Sequence, residues 1–79
     1  MAEVDNITTL ETGEPSQEVS RCQLTGASST YTSRRIGRVK MAFVDVEGTN
    51  SMTFTRSGNV VTITGTNDDW VNVLLIGDL

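Results

Sequence analysis

The most suggestive short motif in the sequence is a pair of carboxylates, Asp68-Asp69, that follows Asn67. Carboxylate and amide oxygens are the ligands that hard cations such as Ca²⁺ prefer. An EF-hand loop, however, spaces its acidic ligands over about twelve positions and closes on a glutamate, and that pattern is absent from this sequence. We therefore interpret the pair as a solvated turn, and we expect neither a metal site nor another cofactor.

The inventory of nucleophiles and bases is small. The sequence has no histidine, and its only cysteine is Cys22. Ser-His-Asp and Cys-His catalysis both need an imidazole, and a cysteine-rich zinc site needs several thiolates. Lys40 has no indicated partner that would activate its amine. The sequence therefore predicts that the protein is not an enzyme, and that Cys22 is a reduced, buried, small apolar residue.

One basic cluster lies in the middle of the sequence. It consists of Arg34, Arg35, Arg38 and Lys40. A nucleic-acid site would need interleaved aromatic residues for stacking, and only Tyr31 is near. The net charge of −4 also disfavours binding to phosphates, so no nucleic-acid partner is expected. Two interpretations stay open: the cluster is a protein interface that meets acidic residues such as Glu3, Asp5 and Glu11, or it is an exposed strand edge protected by charge.

Charge is arranged in blocks along the chain. Residues 1–18 carry five acidic residues and no basic one, and residues 21–40 carry five basic residues and no acidic one. Residues 41–79 carry five acidic residues and a single basic residue, Arg56. This alternation predicts that an acidic segment meets a basic one, within one subunit or between neighbours.

The chain divides into an acidic N-terminal arm, residues 1–18, and a β domain, residues 19–79. The arm is polar and has no aromatic residue. Its apolar residues Val4, Ile7 and Leu10 are the anchors that we expect to contact a neighbouring subunit. The start of the chain has no apolar run behind it, which predicts synthesis in a cytoplasm without a signal peptide. No stretch approaches the ~20 apolar residues of a membrane span, so no membrane partner is expected.

The β domain is rich in threonine and valine, which favour strands, and its glycines recur at intervals of 7 to 12 residues. Turn signals at this spacing are typical of all-β sandwiches and barrels. We predict an all-β fold, a small antiparallel β-sandwich or barrel-like body with an extended N-terminal arm. The predicted strands are residues 19–24, 35–46 and 70–76 and the two arms of a hairpin over 52–64. Residues 25–33 are predicted as a loop.

Two of the predicted strands are apolar on both faces. In the last strand, one face carries Trp70, Leu74 and Ile76, and the other carries Val71, Val73 and Leu75. In the longest strand, the two faces carry Val39, Met41 and Phe43, and Ala42, Val44 and Val46. Such strands are covered on both sides. Because a chain of 79 residues forms only a small core, we expect the second cover to come from another subunit, with Trp70, Leu74 and Ile76 at the interface.

The hairpin MTFTRSGNVVTIT (52–64) and the terminal segment VNVLLI (71–76) give the body a likeness to a known class. It resembles the small all-β structural proteins of tailed bacteriophage particles, such as head decoration (cement) proteins. The resemblance implies a virion protein that stabilises the capsid shell by bridging neighbouring subunits through its arm and its apolar strands. It also implies self-association as a trimer, and binding to a larger structural protein such as a major capsid protein.

An alternative function is a receptor- or carbohydrate-binding β module of a fibre or tail accessory protein. Exposed aromatic platforms would be its signature, and the sequence offers few aromatic residues for that role. Trp70 and Tyr31 are the two candidates.

Overall fold

The computed structural model describes residues 2–10 and 15–78, and in these residues the chain forms strands and no helix that could span a membrane. The strands are β1 (Ala2–Glu3), β2 (Asp5–Leu10), β3 (Gln17–Gln23), β4 (Ser28–Thr32), β5 (Arg38–Val46), β6 (Thr53–Ser57), β7 (Val60–Thr64) and β8 (Trp70–Asp78). The predicted all-β class is confirmed.

The strands form two four-stranded sheets with the orders β1-β4-β7-β6 and β2-β3-β8-β5. Neighbouring strands are antiparallel except β1, which runs parallel to β4. The inner faces of the two sheets enclose one apolar core. Its most buried members include Val61 and Ile63 from the first sheet and Val71, Val73 and Leu75 from the second. This packing of two sheets confirms the predicted β-sandwich.

The N-terminal segment contributes to both sheets. β1 pairs with β4 in the first sheet, and β2 pairs with β3 in the second. Between them, Val4 is only 5% exposed, and its N–H donates to the carbonyl of Thr30 at 2.8 Å. Residues 2–10 therefore pack on the body of their own chain, while residues 1 and 11–14 of the predicted arm lie outside the described residues. Contact between the arm and a neighbouring subunit stays a prediction.

Local sequence patterns account for most of the strands. The predicted hairpin over 52–64 is confirmed as β6 and β7, and its turn places Gly58 in the left-handed region at φ 61°. The predicted loop over 25–33 is wrong, because Ser28–Thr32 forms β4. The alternation in β4 is hard to recognise, because its buried side chains, Ser29 and Tyr31, both carry hydroxyl groups.

A β-bulge in β5 decides which of its side chains face outward. The register between β5 and β8 shifts between Val39 and Met41, so Lys40 is the extra residue. Val39 therefore faces the core together with Val44, whereas Met41 and Phe43 face outward. The predicted grouping of Val39 with Met41 and Phe43 on one face is wrong, because a bulge shifts the alternation by one residue.

Candidate functional site: the apolar outer face of the second sheet

The large apolar side chains that are exposed in residues 2–10 and 15–78 all lie on the outer face of the second sheet. Leu10 is 47% exposed, Met41 49% and Phe43 58%. They come from the two edge strands, β2 and β5, with β3 and β8 between them. We call the surface that they form with their partly buried neighbours the apolar face. It consists of Leu10, Val19, Met41, Phe43, Leu74 and Ile76.

Strand register makes the apolar face continuous. Leu10 pairs with Val19, Val19 with Leu74, and Leu74 with Phe43, so these four side chains form one row across the whole sheet. Met41 pairs with Ile76 in the next row. A shallow groove of about 390 Å³ is lined on one side by Val19, Leu74 and Phe43 of the first row and on the other by Asn72 and Asp45. The surface therefore has relief into which side chains of another surface can pack.

Polar groups lie beside the apolar face toward the start of β8. The Arg21 guanidinium donates to the Glu47 carboxylate from Nε at 2.6 Å and from Nη2 at 3.0 Å, and it lies 3.9 Å from the centre of the Trp70 ring. The side-chain amide of Asn72 donates to the same carboxylate at 3.0 Å. At the other end of the face, Lys40 pairs with Asp78 at 3.3 Å. Both ion pairs are solvent-exposed, so they contribute little to stability.

The structure brings together some of the apolar residues predicted at the interface and separates others. Leu10, Leu74 and Ile76 lie together on the apolar face. Val4 lies instead in the core between the sheets, and Ile7 packs partly against that core. Trp70 is partly buried at the side of the apolar face, under the Arg21 guanidinium.

The predicted basic residues lie at the end of the sandwich where β5 begins. Arg34 and Arg35 belong to the segment between β4 and β5, and Arg38 starts β5. All three are exposed, as is Lys40. The predicted acidic partner Glu3 bonds elsewhere within the chain, where its carboxylate accepts from the Thr32 N–H at 3.0 Å and the Thr30 hydroxyl at 3.1 Å. Glu11 lies outside the described residues.

Two aromatic residues were candidates for a carbohydrate platform. Tyr31 is 0% exposed, so its assignment to such a platform is wrong. The ring of Trp70 is covered on one side by Arg21. The carboxylate pair of the predicted turn lies in the segment before β8, where the Asp69 carboxylate accepts from the amide of Asn50 at 3.0 Å. No three of the described cysteine, aspartate and glutamate side chains are grouped so as to hold a metal ion.

One buried polar cluster, centred on Glu18, is absent from the sequence-based predictions. This side chain is 1% exposed. Its carboxylate accepts from the hydroxyl of Tyr31 at 2.5 Å and from the N–H groups of Arg34 at 3.0 Å and Arg35 at 2.8 Å. The Tyr31 hydroxyl also lies 2.6 Å from the hydroxyl of Ser20. Strand alternation could have shown it, since Glu18 shares the inner side of β3 with Ser20 and buried Cys22.

The electrostatics of this cluster fit a structural role. Burial by itself raises the pKa of the Glu18 carboxyl, but the hydrogen bonds from Tyr31, Arg34 and Arg35 outweigh it and hold that pKa below its ordinary value. Burial and the neighbouring carboxylate raise the pKa of the Tyr31 hydroxyl, so it stays a donor at neutral pH. Every buried side-chain oxygen and nitrogen of the described residues has a hydrogen-bond partner. The cluster holds the segment between β4 and β5 against β3.

The thiol of Cys22 is also confirmed as buried, at 0% exposed. Burial, with a smaller effect from Glu3, raises its pKa to about 11. Because the thiolate is the reactive form, this thiol is unreactive at neutral pH.

Stability is expected to fall in acid because of Glu18. A carboxyl whose pKa is lowered by folding stabilises the protein above its unfolded pKa of roughly 4.3, and this contribution is lost as the pH falls through the lower folded pKa. Urea midpoints measured from neutral pH to about pH 3 should therefore decrease more for the wild type than for Glu18→Gln. Equal decreases in the two proteins would contradict this assignment. Glu47→Gln is the matched control: Glu47 also has a lowered pKa, caused mainly by Arg21, but this ion pair is solvent-exposed, so the variant should lose stability in acid nearly as the wild type does.

Comparison with models of known protein families, with curated proteins and with solved structures finds no match for this chain. A function is therefore proposed from its own sequence and geometry.

Proposed function

We propose that this chain is a structural protein of a virion, of the capsid decoration type, which stabilises the shell by binding other protein chains through the apolar face. The observation that supports this proposal is the continuous row of Leu10, Val19, Leu74 and Phe43 across all four strands of one sheet. Exposed contiguous apolar surfaces on small proteins are typical of protein–protein contact. The assignment to a virus particle comes from the resemblance of the segments 52–64 and 71–76.

One predicted interface residue of the arm and two of the last strand lie together on the apolar face. Leu10 comes from the predicted arm, and Leu74 and Ile76 come from the predicted apolar strand. The arm therefore supports the contact by completing the face from the β2 edge. Deleting residues 1–18 is not a clean test of the arm, because it would also remove the buried side chains of Val4 and Glu18.

The expected strength of one contact suits a protein present in many copies. Covering the exposed halves of Leu10, Met41 and Phe43 gains on the order of 3 kcal/mol from apolar burial. A gain of this size supports only weak attachment by one copy, since association carries a large entropic cost. Attachment becomes firm where several contacts act together, as they do on the repeated surface of a shell.

The proposal is tested on particles purified by gradient from cells that express the chain in its native genetic context. We expect the chain to co-purify with the particles and to resist removal by washing. Phe43→Asp should be largely lost from the particle fraction, because it places a charge at the most exposed large apolar side chain of the apolar face. Thr55→Asp is the matched control, since Thr55 is exposed on β6, in the other sheet.

Two outcomes would contradict the proposal. Absence of the wild-type chain from purified particles would overturn the virion assignment. Equal retention of the Phe43→Asp and Thr55→Asp variants would show that the apolar face is not the binding surface. Circular dichroism of each variant confirms that its sheets are formed before the comparison is made.

A further inference from the structure

The charges along β5 indicate which kind of protein surface is complementary to the apolar face. The strand begins with Arg38 and Lys40, continues with the exposed apolar residues Met41 and Phe43, and ends near Asp45. Its charge is therefore opposite on the two sides of Phe43. A strand of this kind is complementary to a second copy of itself that runs in the opposite direction.

The same polarity extends across the described part of the fold. The end at which β5 begins carries Arg34, Arg35, Arg38, Lys40 and Arg56. The opposite end carries Asp5, Asp45, Glu47, Asp68 and Asp69. Within the chain, Arg21 pairs with Glu47 and Lys40 with Asp78, so each pair adds little net charge to its end. Glu3 does not follow the polarity, and its carboxylate accepts from the Thr32 N–H. The remaining charges are Arg34, Arg35, Arg38 and Arg56 at the basic end and Asp5, Asp45, Asp68 and Asp69 at the acidic end. Glu18, at the basic end, is buried and bonded to Tyr31.

We propose that the apolar face is covered by a second copy of this chain, packed face to face with its strands antiparallel. This inference rests on the proposed function and names the chain that the apolar face binds: on the shell, copies attached to neighbouring subunits are joined to each other through this contact. A two-fold axis in the plane of the interface and perpendicular to the strands places the basic end of each copy over the acidic end of the other. An axis parallel to the strands would place like charges together, which is unfavourable. With Phe43 near the axis, Lys40 of each copy lies over Asp45 of the second copy.

The dimensions are compatible with such a dimer. The two longest extents of the chain are 30 and 22 Å, and its accessible surface is 4447 Å². A standard protein–protein interface buries about 800 Å² on each partner, which is about a fifth of this surface. The face of a four-stranded sheet of this size offers an area of that order. Because each face is then fully occupied, association closes at two copies.

The first test is the mass of the purified chain in solution, measured by light scattering over a range of concentrations. We expect the wild type to reach twice 8.6 kDa and Phe43→Asp to remain at 8.6 kDa. The Thr55→Asp control should dimerise as the wild type does. A wild type that stays monomeric at high concentration, or that forms a trimer, would overturn the proposal.

The second test is the orientation of the two copies. Lys40→Asp and Asp45→Lys are each expected to weaken the dimer about tenfold, since two-fold symmetry changes two contacts at once. Combining them should restore the wild-type Kd to within about threefold in the antiparallel dimer. No restoration in the combined variant would overturn the antiparallel arrangement. Lys40→Asp with Asp78→Lys is the control, because it restores only the pair within the chain, and the dimer should stay weak.

A third variant separates face packing from edge pairing. β5 is an edge strand, so two copies could also pair β5 to β5 through their backbones. Leu74 lies on β8, one strand in from that edge. Only if the faces pack together should Leu74→Ser weaken the dimer about as much as Phe43→Ser. A dimer unchanged by Leu74→Ser would overturn face-to-face packing.

The particle experiment and the solution experiment fail independently. If the wild type is monomeric while its attachment to particles is still lost in Phe43→Asp, the proposed function stands and the second copy is overturned. If the antiparallel dimer forms but the chain is absent from particles, the dimer stands and the virion role is overturned.

Discussion

Replacing Glu18 with alanine is expected to lower the free energy of unfolding by about 4 kcal/mol, a large share of the stability of so small a domain. The change leaves the N–H groups of Arg34 and Arg35 without their acceptor, and the Tyr31 hydroxyl keeps only Ser20 as a partner. Donors buried without a partner cost about 1–3 kcal/mol each, and the missing side chain adds a cavity. The free energy is obtained from urea unfolding followed by tryptophan fluorescence, since Trp70 is the only tryptophan.

Glu47→Ala is the matched control for this experiment. The Glu47 carboxylate also accepts two hydrogen bonds from one arginine, but both side chains of that pair are substantially exposed, at 35% for Glu47 and 42% for Arg21. Its loss should therefore change the unfolding free energy only slightly. Similar losses in the two variants would contradict a special role for Glu18. If Glu18→Ala does not fold, Glu18→Gln, which keeps one acceptor oxygen, should give an intermediate loss.

Replacing Gly77 with alanine is expected to lower the unfolding free energy by about 3 kcal/mol or more, or to prevent folding. A Cβ at this position would lie 2.0 Å from the carbonyl oxygen of Arg38 and 2.9 Å from Cγ2 of Ile36. The first contact is with backbone, which cannot rotate away as a flexible side chain can. Gly77 pairs with Val39 beside the bulge at Lys40, so the clash falls within the pairing of β5 with β8.

Gly48→Ala is the control for the Gly77 variant. A Cβ at residue 48 meets no atom within 4 Å. Alanine there should leave the urea midpoint unchanged or raise stability by up to about 1 kcal/mol, because it restricts the unfolded chain. A Gly77→Ala protein with a midpoint equal to that of Gly48→Ala would show that β5 and β8 separate more easily than this geometry allows.

The parts of the fold that could be predicted from the sequence are those set by neighbouring residues. The alternation of Val61 and Ile63 with threonine, joined to the turn at Gly58, indicates the hairpin without any knowledge of the rest of the chain. The two apolar faces of β8 are visible in the same way. β4 could not be predicted, because the burial of Ser29 and Tyr31 depends on partners distant in sequence, such as Glu18 for the tyrosine hydroxyl.

The candidate site was predictable in part for the same reason. Leu74 and Ile76 were assigned to an interface because their strand is apolar on both faces. The outward position of Met41 relative to Val39 depends on the bulge at Lys40, which forms only against β8. The position of Val4 could not be predicted for a different reason. An apolar residue in a polar segment indicates that the segment packs against another surface. Composition does not say whether that surface belongs to the same chain or to another chain.

The order of the strands in the second sheet has a consequence for synthesis. β8 lies between β3 and β5, and Gln17 of β3 pairs with Ile76 of β8. In a growing chain, β3 and β5 leave the ribosome before β8. The strand that pairs with both of them is therefore missing until residues 70–78 have been made. Pairings between such distant residues form slowly, and the unpaired strands are exposed to aggregation meanwhile. The apolar face thus forms only after residues 70–78 have been made, so a newly made chain offers its binding surface to partners only once β8 has paired with β3 and β5.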